Sequence, residues 1–136
     1  MAAPMPDLIV AWTGTDSRLN VQSPKGGKVT MSETSHQAPA VSIFKNRLYV
    51  AWTGTDSRLN VISSSDGKKF DGKVTLHETS PYGPSLTADT TTLYLGWTGT
   101  DSRLNHLSST DGTAFGGKVT SGETSPYAVA EAAGTF

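Results

Sequence analysis

The sequence predicts an all-β chain: a β-propeller with three four-stranded blades per chain, closing as a six-bladed ring in a homodimer. Three observations lead there. The nonapeptide WTGTDSRLN occurs three times unchanged, at Trp12–Asn20, Trp52–Asn60 and Trp97–Asn105. Its tryptophans stand 40 and then 45 residues apart, and a four-strand unit recurring at about 45 residues is the signature of a propeller blade. No segment carries helical periodicity with caps, while 14 Gly among 136 residues supply turns throughout.

The difference between the two spacings lies in one place. Asn20 to Lys28 is 8 steps, whereas Asn60 to Lys73 and Asn105 to Lys118 are each 13. The first unit therefore has a shortened hairpin. In the complete middle unit, strand a falls around Ala40–Phe44, after Pro39. Strand b is the apolar run Leu48–Trp52, suited to burial on both faces. Strand c falls around Leu59–Ser63 and strand d at Lys73–Leu76. Turn signals separate them: Lys45-Asn46, Gly54–Ser57, Asp66-Gly67 and Pro81–Pro84.

The chain is out of phase with its blades. It opens on strand b, Leu8–Trp12, and finishes with a spare strand a around Tyr127–Ala133. Residues 1–136 form one domain: blade 1 (strands b to d) at about 7–35, blade 2 at about 36–80, blade 3 at about 81–125 and a closing strand at about 126–136. Three blades cannot close a ring that needs roughly 4–8. Two copies exchanging terminal strands supply six. One residue argues against this closure: Glu131 stands where the other copies have Val41 and Leu86.

Composition narrows the partners. A net charge of −1 offers no basic field, which argues against nucleic acid. No apolar run reaches the ~18 residues of a membrane span, and Met1–Pro6 lacks the features of a signal peptide. Without cysteine there is no disulfide or thiolate metal site. His36, His77 and His106 occupy non-equivalent positions and form no ligand spacing, so no metal and no cofactor are expected.

Ser64–Phe70 (SSDGKKF) and Ser109–Phe115 (STDGTAF) resemble the Asp-box hairpin of sialidase-like propellers, one residue shorter and with Phe for Trp. From Asp7 to about Val129 the chain is similar to the tandem repeats of bacterial sialidase-like and lectin-like propeller proteins. The resemblance implies a structural hairpin between strands c and d, away from any active site. The first copy, Ser23–Gly27, has lost it.

Strands alternate in direction within a blade, so the b–c turn and the d–a connection emerge on the same face of the ring. These are the most constant pieces of the sequence. A structural account gives Trp12, Trp52 and Trp97 to packing between blades, and Asp16, Asp56 and Asp101 to their own turns. It pairs Arg18, Arg58 and Arg103 with Glu33, Glu78 and Glu123. A functional account makes the same face a set of carbohydrate sites, one shallow site per blade. Asp, Arg and Glu grip hydroxyls or a sugar carboxylate there, and Tyr82 and Tyr127 offer stacking surfaces where the first copy has Gln37. The expected partners are thus a second copy and glycans. Enzyme activity is not expected, because no residue breaks the repeat as a single catalytic centre would. The alternative is a structural scaffold, a propeller fragment that oligomerises without a ligand.

Overall fold

The computed structural model describes residues 8–136. Met1–Pro6 and Asp7, the start of the first repeat, lie outside the described residues. Among the described residues there are strands and turns but no α-helix. Sheet 1 contains β1 (Val10–Thr13), β2 (Arg18–Ser23) and β3 (Gly27–Thr34). Sheet 2 contains β4 (Ala40–Phe44), β5 (Arg47–Thr53), β6 (Arg58–Ser64) and β7 (Asp71–Thr79). Sheet 3 contains β8 (Ser85–Ala88), β9 (Leu93–Thr98), β10 (Arg103–Ser109) and β11 (Gly116–Thr124). Every neighbouring pair is antiparallel and sequential, so each sheet is a meander.

Sheet 2 lies between the other two, and β5 shows why. Leu48, Val50 and Trp52 join Leu19, Val21 and Met31 of sheet 1 in one core. Tyr49 and Ala51 point the other way and join Leu93, Leu95 and Trp97 of sheet 3. The period-2 alternation of a strand thus feeds two cores from one apolar run. Trp52 and Trp97 are each 1% exposed and face the preceding sheet. Trp12, with no sheet before it among the described residues, is only half-buried.

Two features depart from the expected elements. The β7 and β11 strands extend beyond the apolar residues, to Asp71–Thr79 and Gly116–Thr124, with register irregularities against their partners. The segment expected as a closing strand, around Tyr127–Ala133, forms no ladder. An inner strand bonds to strand b of its own unit. Among the described residues, the one strand b without such a neighbour is β1, on the far side of sheet 2.

Candidate functional site

The turn between β1 and β2 is built almost entirely from its own residues. Gly14 N–H donates to Arg18 C=O (2.8 Å), and Ser17 N–H donates to Gly14 C=O (2.9 Å). Asp16 Oδ1 accepts the Arg18 N–H at 3.1 Å, an Asx closure. A Cβ on Gly14 would stand 2.9 Å from that oxygen, so a side chain here would displace the Asp16 carboxylate. Ser17 adopts a left-handed φ of 68°, repeated at Ser57 (68°) and Ser102 (67°). Asn20 donates to Arg18 C=O (3.1 Å) and accepts from the Thr30 hydroxyl (2.6 Å). The second and third turns reproduce this through Asp56–Arg58 and Asp101–Arg103, each 3.0 Å.

The following connection docks on this turn. Ser35 N–H donates to Ser17 C=O, Ser80 to Ser57 and Ser125 to Ser102, at 2.8–2.9 Å. The Thr13 hydroxyl donates to Gln37 C=O (2.6 Å), Thr53 to Tyr82 C=O (2.7 Å) and Thr98 to Tyr127 C=O (2.7 Å). Position 37/82/127 is thus held through its backbone carbonyl, and this holds for Gln as well as for Tyr. The b–c turn and the d–a connection share one face, as their strand directions require.

Neighbouring sheets are linked by a second set of contacts. Ser35 Oγ donates to Thr53 C=O and Ser80 Oγ to Thr98 C=O, both at 2.6 Å and buried. Lys73 Nζ meets Glu33 Oε1 at 2.8 Å, and Lys118 meets Glu78 at 2.9 Å. This corrects the expected pairing of arginine with glutamate: lysine from the following sheet takes the carboxylate. Each lysine also lies over the tryptophan of its own unit: Lys28 over Trp12 at 5.8 Å, Lys73 over Trp52 at 5.6 Å and Lys118 over Trp97 at 5.7 Å.

Nearly every member of the nonapeptide therefore has structural work: Trp52, Trp97, Leu19 and Leu59 in the cores, and threonine, glycine, aspartate, serine and asparagine in the turn. The side chains of Thr15 and Arg18, with their copies, do not share it. Arg18, Arg58 and Arg103 are exposed, and their guanidinium groups make no hydrogen bond or ion pair among the described residues. Tyr127 is 73% exposed, whereas Tyr82 is half-buried. Glu33 and Glu78 are engaged by lysine; Glu123 is exposed, with no ion-pair partner among the described residues.

The complete hairpins hold themselves closed. Ser64 Oγ donates to Asp66 Oδ1 (3.0 Å), which accepts the N–H groups of Lys68 and Lys69 at 2.9 and 3.0 Å. Those backbone donors, Lys69 first, lower the Asp66 carboxyl to about 2. Asp111 is lowered by the same arrangement with Ala114, Thr113 and Ser109.

One cluster went unpredicted as a site. Glu131, Tyr94, His106 and Asp89 line a cavity of about 390 Å³ between the outer side of sheet 3 and residues 132–134. Burial raises the Glu131 carboxyl, and the His106 charge acts the other way. The signal that could have found it is the joint departure of Glu131, His106 and Ser85 from the apolar residues of the other copies.

Among the described residues no helix is long and apolar enough to cross a membrane, and no group of three or more metal-ligating side chains gathers. The fold places the chain in a class, repeated antiparallel β-sheets stacked face to face through two apolar cores. No protein-family model matches it, and a comparison with curated proteins finds no match.

Proposed function

We propose that the three sheets are propeller blades and that the chain is half of a ring, joining head to tail with a second copy into a six-bladed assembly. The observation that carries this reading is the outer face of sheet 1. Leu8 is 64% and Val10 45% exposed, and Trp12 is half-buried. Their counterparts Leu48, Val50 and Trp52 are 5%, 0% and 1% exposed, and Leu93, Leu95 and Trp97 are 0%, 0% and 1%. The same residues that form cores elsewhere stand open here, and a contiguous apolar face of this kind marks an interface.

The two ends complement each other contact by contact. Among the described residues Lys28 on sheet 1 has no preceding glutamate and Glu123 on sheet 3 no following lysine. Ser125 Oγ accepts Tyr127 N–H (3.1 Å) as Ser80 accepts Tyr82 N–H (3.0 Å), yet it has no counterpart of the Thr98 carbonyl to donate to; Thr13 of a second copy supplies one. The register Ala40↔Ala51 and Ser85↔Gly96 translates into Ala130 opposite Ala11 of that copy. Two head-to-tail junctions close the ring by twofold symmetry. Light scattering tests this: a particle of twice 14.3 kDa supports the ring, and a stable monomer at micromolar concentration overturns it.

A second reading concerns what the ring presents. The exposed, unpaired Arg18, Arg58 and Arg103 favour a carbohydrate-binding face, one shallow site per blade, with the guanidinium gripping a sugar carboxylate or hydroxyls and Tyr82 or Tyr127 alongside. Asp16, Asp56 and Asp101 serve this face by shaping the turn that presents the arginine. A glycan array separates the readings. Binding lost in the Arg18→Ala, Arg58→Ala, Arg103→Ala variant supports the lectin, and no binding by the parent leaves the assembly scaffold.

A further inference from the structure

The outer side of sheet 3 differs from the matching sides of sheets 1 and 2 in a coordinated way. At the first two junctions a branched aliphatic residue accompanies an alanine: Val41 with Ala11, then Leu86 with Ala51. At the third the pair is Glu131 and Gly96. Around them, Ser85 stands where sheet 2 has Ala40, and His106 stands where sheets 1 and 2 have Val21 and Val61.

These exchanges fit one another. A Cβ on Gly96 would stand 2.8 Å from Glu131 Oε2, 3.1 Å from its Cδ and 2.7 Å from Ser85 Oγ, so the carboxylate group occupies the space that a methyl fills at the other junctions. Glu131 Oε1 and Ser85 Oγ are both buried and lack a hydrogen-bond partner among the described residues. His106 and Tyr94 complete the polar surround, with Asp89 at its rim.

The geometry points to Glu131 as a key and Gly96 as its lock: together they seat residues 126–134 on sheet 3 of their own chain and so commit the free edge of that segment to β1 of a second copy. This rests on the ring reading above and gives it a selectivity device. Three near-identical repeats offer three similar seats for an inner strand. An aliphatic residue at 131 suits the seats beside Ala11 and Ala51 equally. Glu131 does not, because an alanine Cβ would push its carboxylate toward Val21 or Val61, where sheet 3 has His106, and burying a carboxylate against aliphatic carbon costs more than burying it in a polar surround. The closing segment therefore rejects the two wrong seats more strongly than it grips the right one, which is how discrimination among similar surfaces is obtained.

The test uses the full chain and three variants. Gly96 has an ordinary strand backbone, so alanine is sterically acceptable to the main chain there. Gly96→Ala should raise the dimer dissociation constant by about tenfold or more and speed amide exchange across 126–134, with exchange in β5 and β9 unchanged. Gly96→Ala with Glu131→Leu recreates the Leu86–Ala51 pair and should restore both. Glu131→Leu alone should still associate but yield particles of mixed size. Unchanged exchange in Gly96→Ala, failure of the double variant to restore it, or a uniform dimer from Glu131→Leu overturns the key and lock. A monomeric parent overturns the ring itself, and exchange across 126–134 then still reads whether Gly96→Ala frees the segment.

Discussion

Lys73 of β7 crosses to the neighbouring sheet and meets Glu33 of β3, Nζ to Oε1 at 2.8 Å, while the same ammonium lies 5.6 Å from the centre of the Trp52 ring. The contact recurs at Lys118, Glu78 and Trp97. One lysine thus joins a charge on the preceding sheet to the aromatic core of its own. In the proposed ring, Lys28 and Glu123 of different copies would make the same contact.

Reversing either charge should weaken the ring. Lys28→Glu sets two carboxylates against each other at each junction, and Glu123→Lys sets two ammonium groups. An exposed pair of this kind contributes about 0.2–1 kcal/mol. The double exchange, Lys28→Glu with Glu123→Lys, should recover most of the loss. Sedimentation equilibrium at low and high salt checks this, and screening should shrink every difference.

Trp52→Ala should destabilise the fold by about 3–5 kcal/mol, the range for removing a buried large aromatic. Trp12→Ala should cost the fold much less and fall mainly on the dimer dissociation constant. Denaturant titration and light scattering on the two variants separate these effects. A loss below about 1 kcal/mol for Trp52→Ala would contradict its burial.

The arginines and aspartates of the repeated turn should separate in their effects. The triple aspartate variant, Asp16→Ala, Asp56→Ala and Asp101→Ala, should lower Tm, because three Arg N–H groups lose their acceptor. The triple arginine variant should leave Tm unchanged and abolish glycan binding. A single shallow site is expected near millimolar, about −4 kcal/mol. Several on one rigid face raise avidity by about 10²–10⁴. Thermal melts beside glycan arrays read both outcomes.

Two carboxyls should respond to pH in opposite senses. Asp66 is lowered from 3.8 to about 2, so its closure of the hairpin is complete above the ordinary value and lost as pH falls through about 2. Glu131 is raised above 4.5 by burial, so its contribution to docking of the closing segment is complete below 4.5 and lost as pH rises through the raised value. Amide exchange corrected for intrinsic rates, read at Lys68 and Lys69 and across 126–134, should show both trends.

Much of the sheet order was legible, because strand periodicity and turn residues are local. The run Leu48–Trp52 implied a strand buried on both faces, and β5 is that strand. The partner of Glu33 was not legible from charge alone, since Arg and Lys are both cations. What decides it is reach: the arginines sit in outward turns, whereas Lys73 lies on a strand facing the previous sheet. The constant separation of 40 residues between Lys73 and Glu33 and between Lys118 and Glu78 carried that information. Glu131 read as a flaw in the last strand because its fit depends on what position 96 lacks, a relation between distant residues.

The three-stranded sheet 1 also bears on how the assembly is made. Among the described residues nothing covers its apolar side, so in the proposed ring the last step of folding would be second order in protein. Refolding of dilute chains should stall with Leu8, Val10 and Trp12 in water and then finish at a rate proportional to concentration. During synthesis sheet 1 leaves the ribosome before sheets 2 and 3, and in the proposed ring its cover would come from residues 126–134 of another chain. In that ring the unfinished sheet would wait, and the length of the wait, set by the supply of finished neighbours, would decide between rings and aggregates.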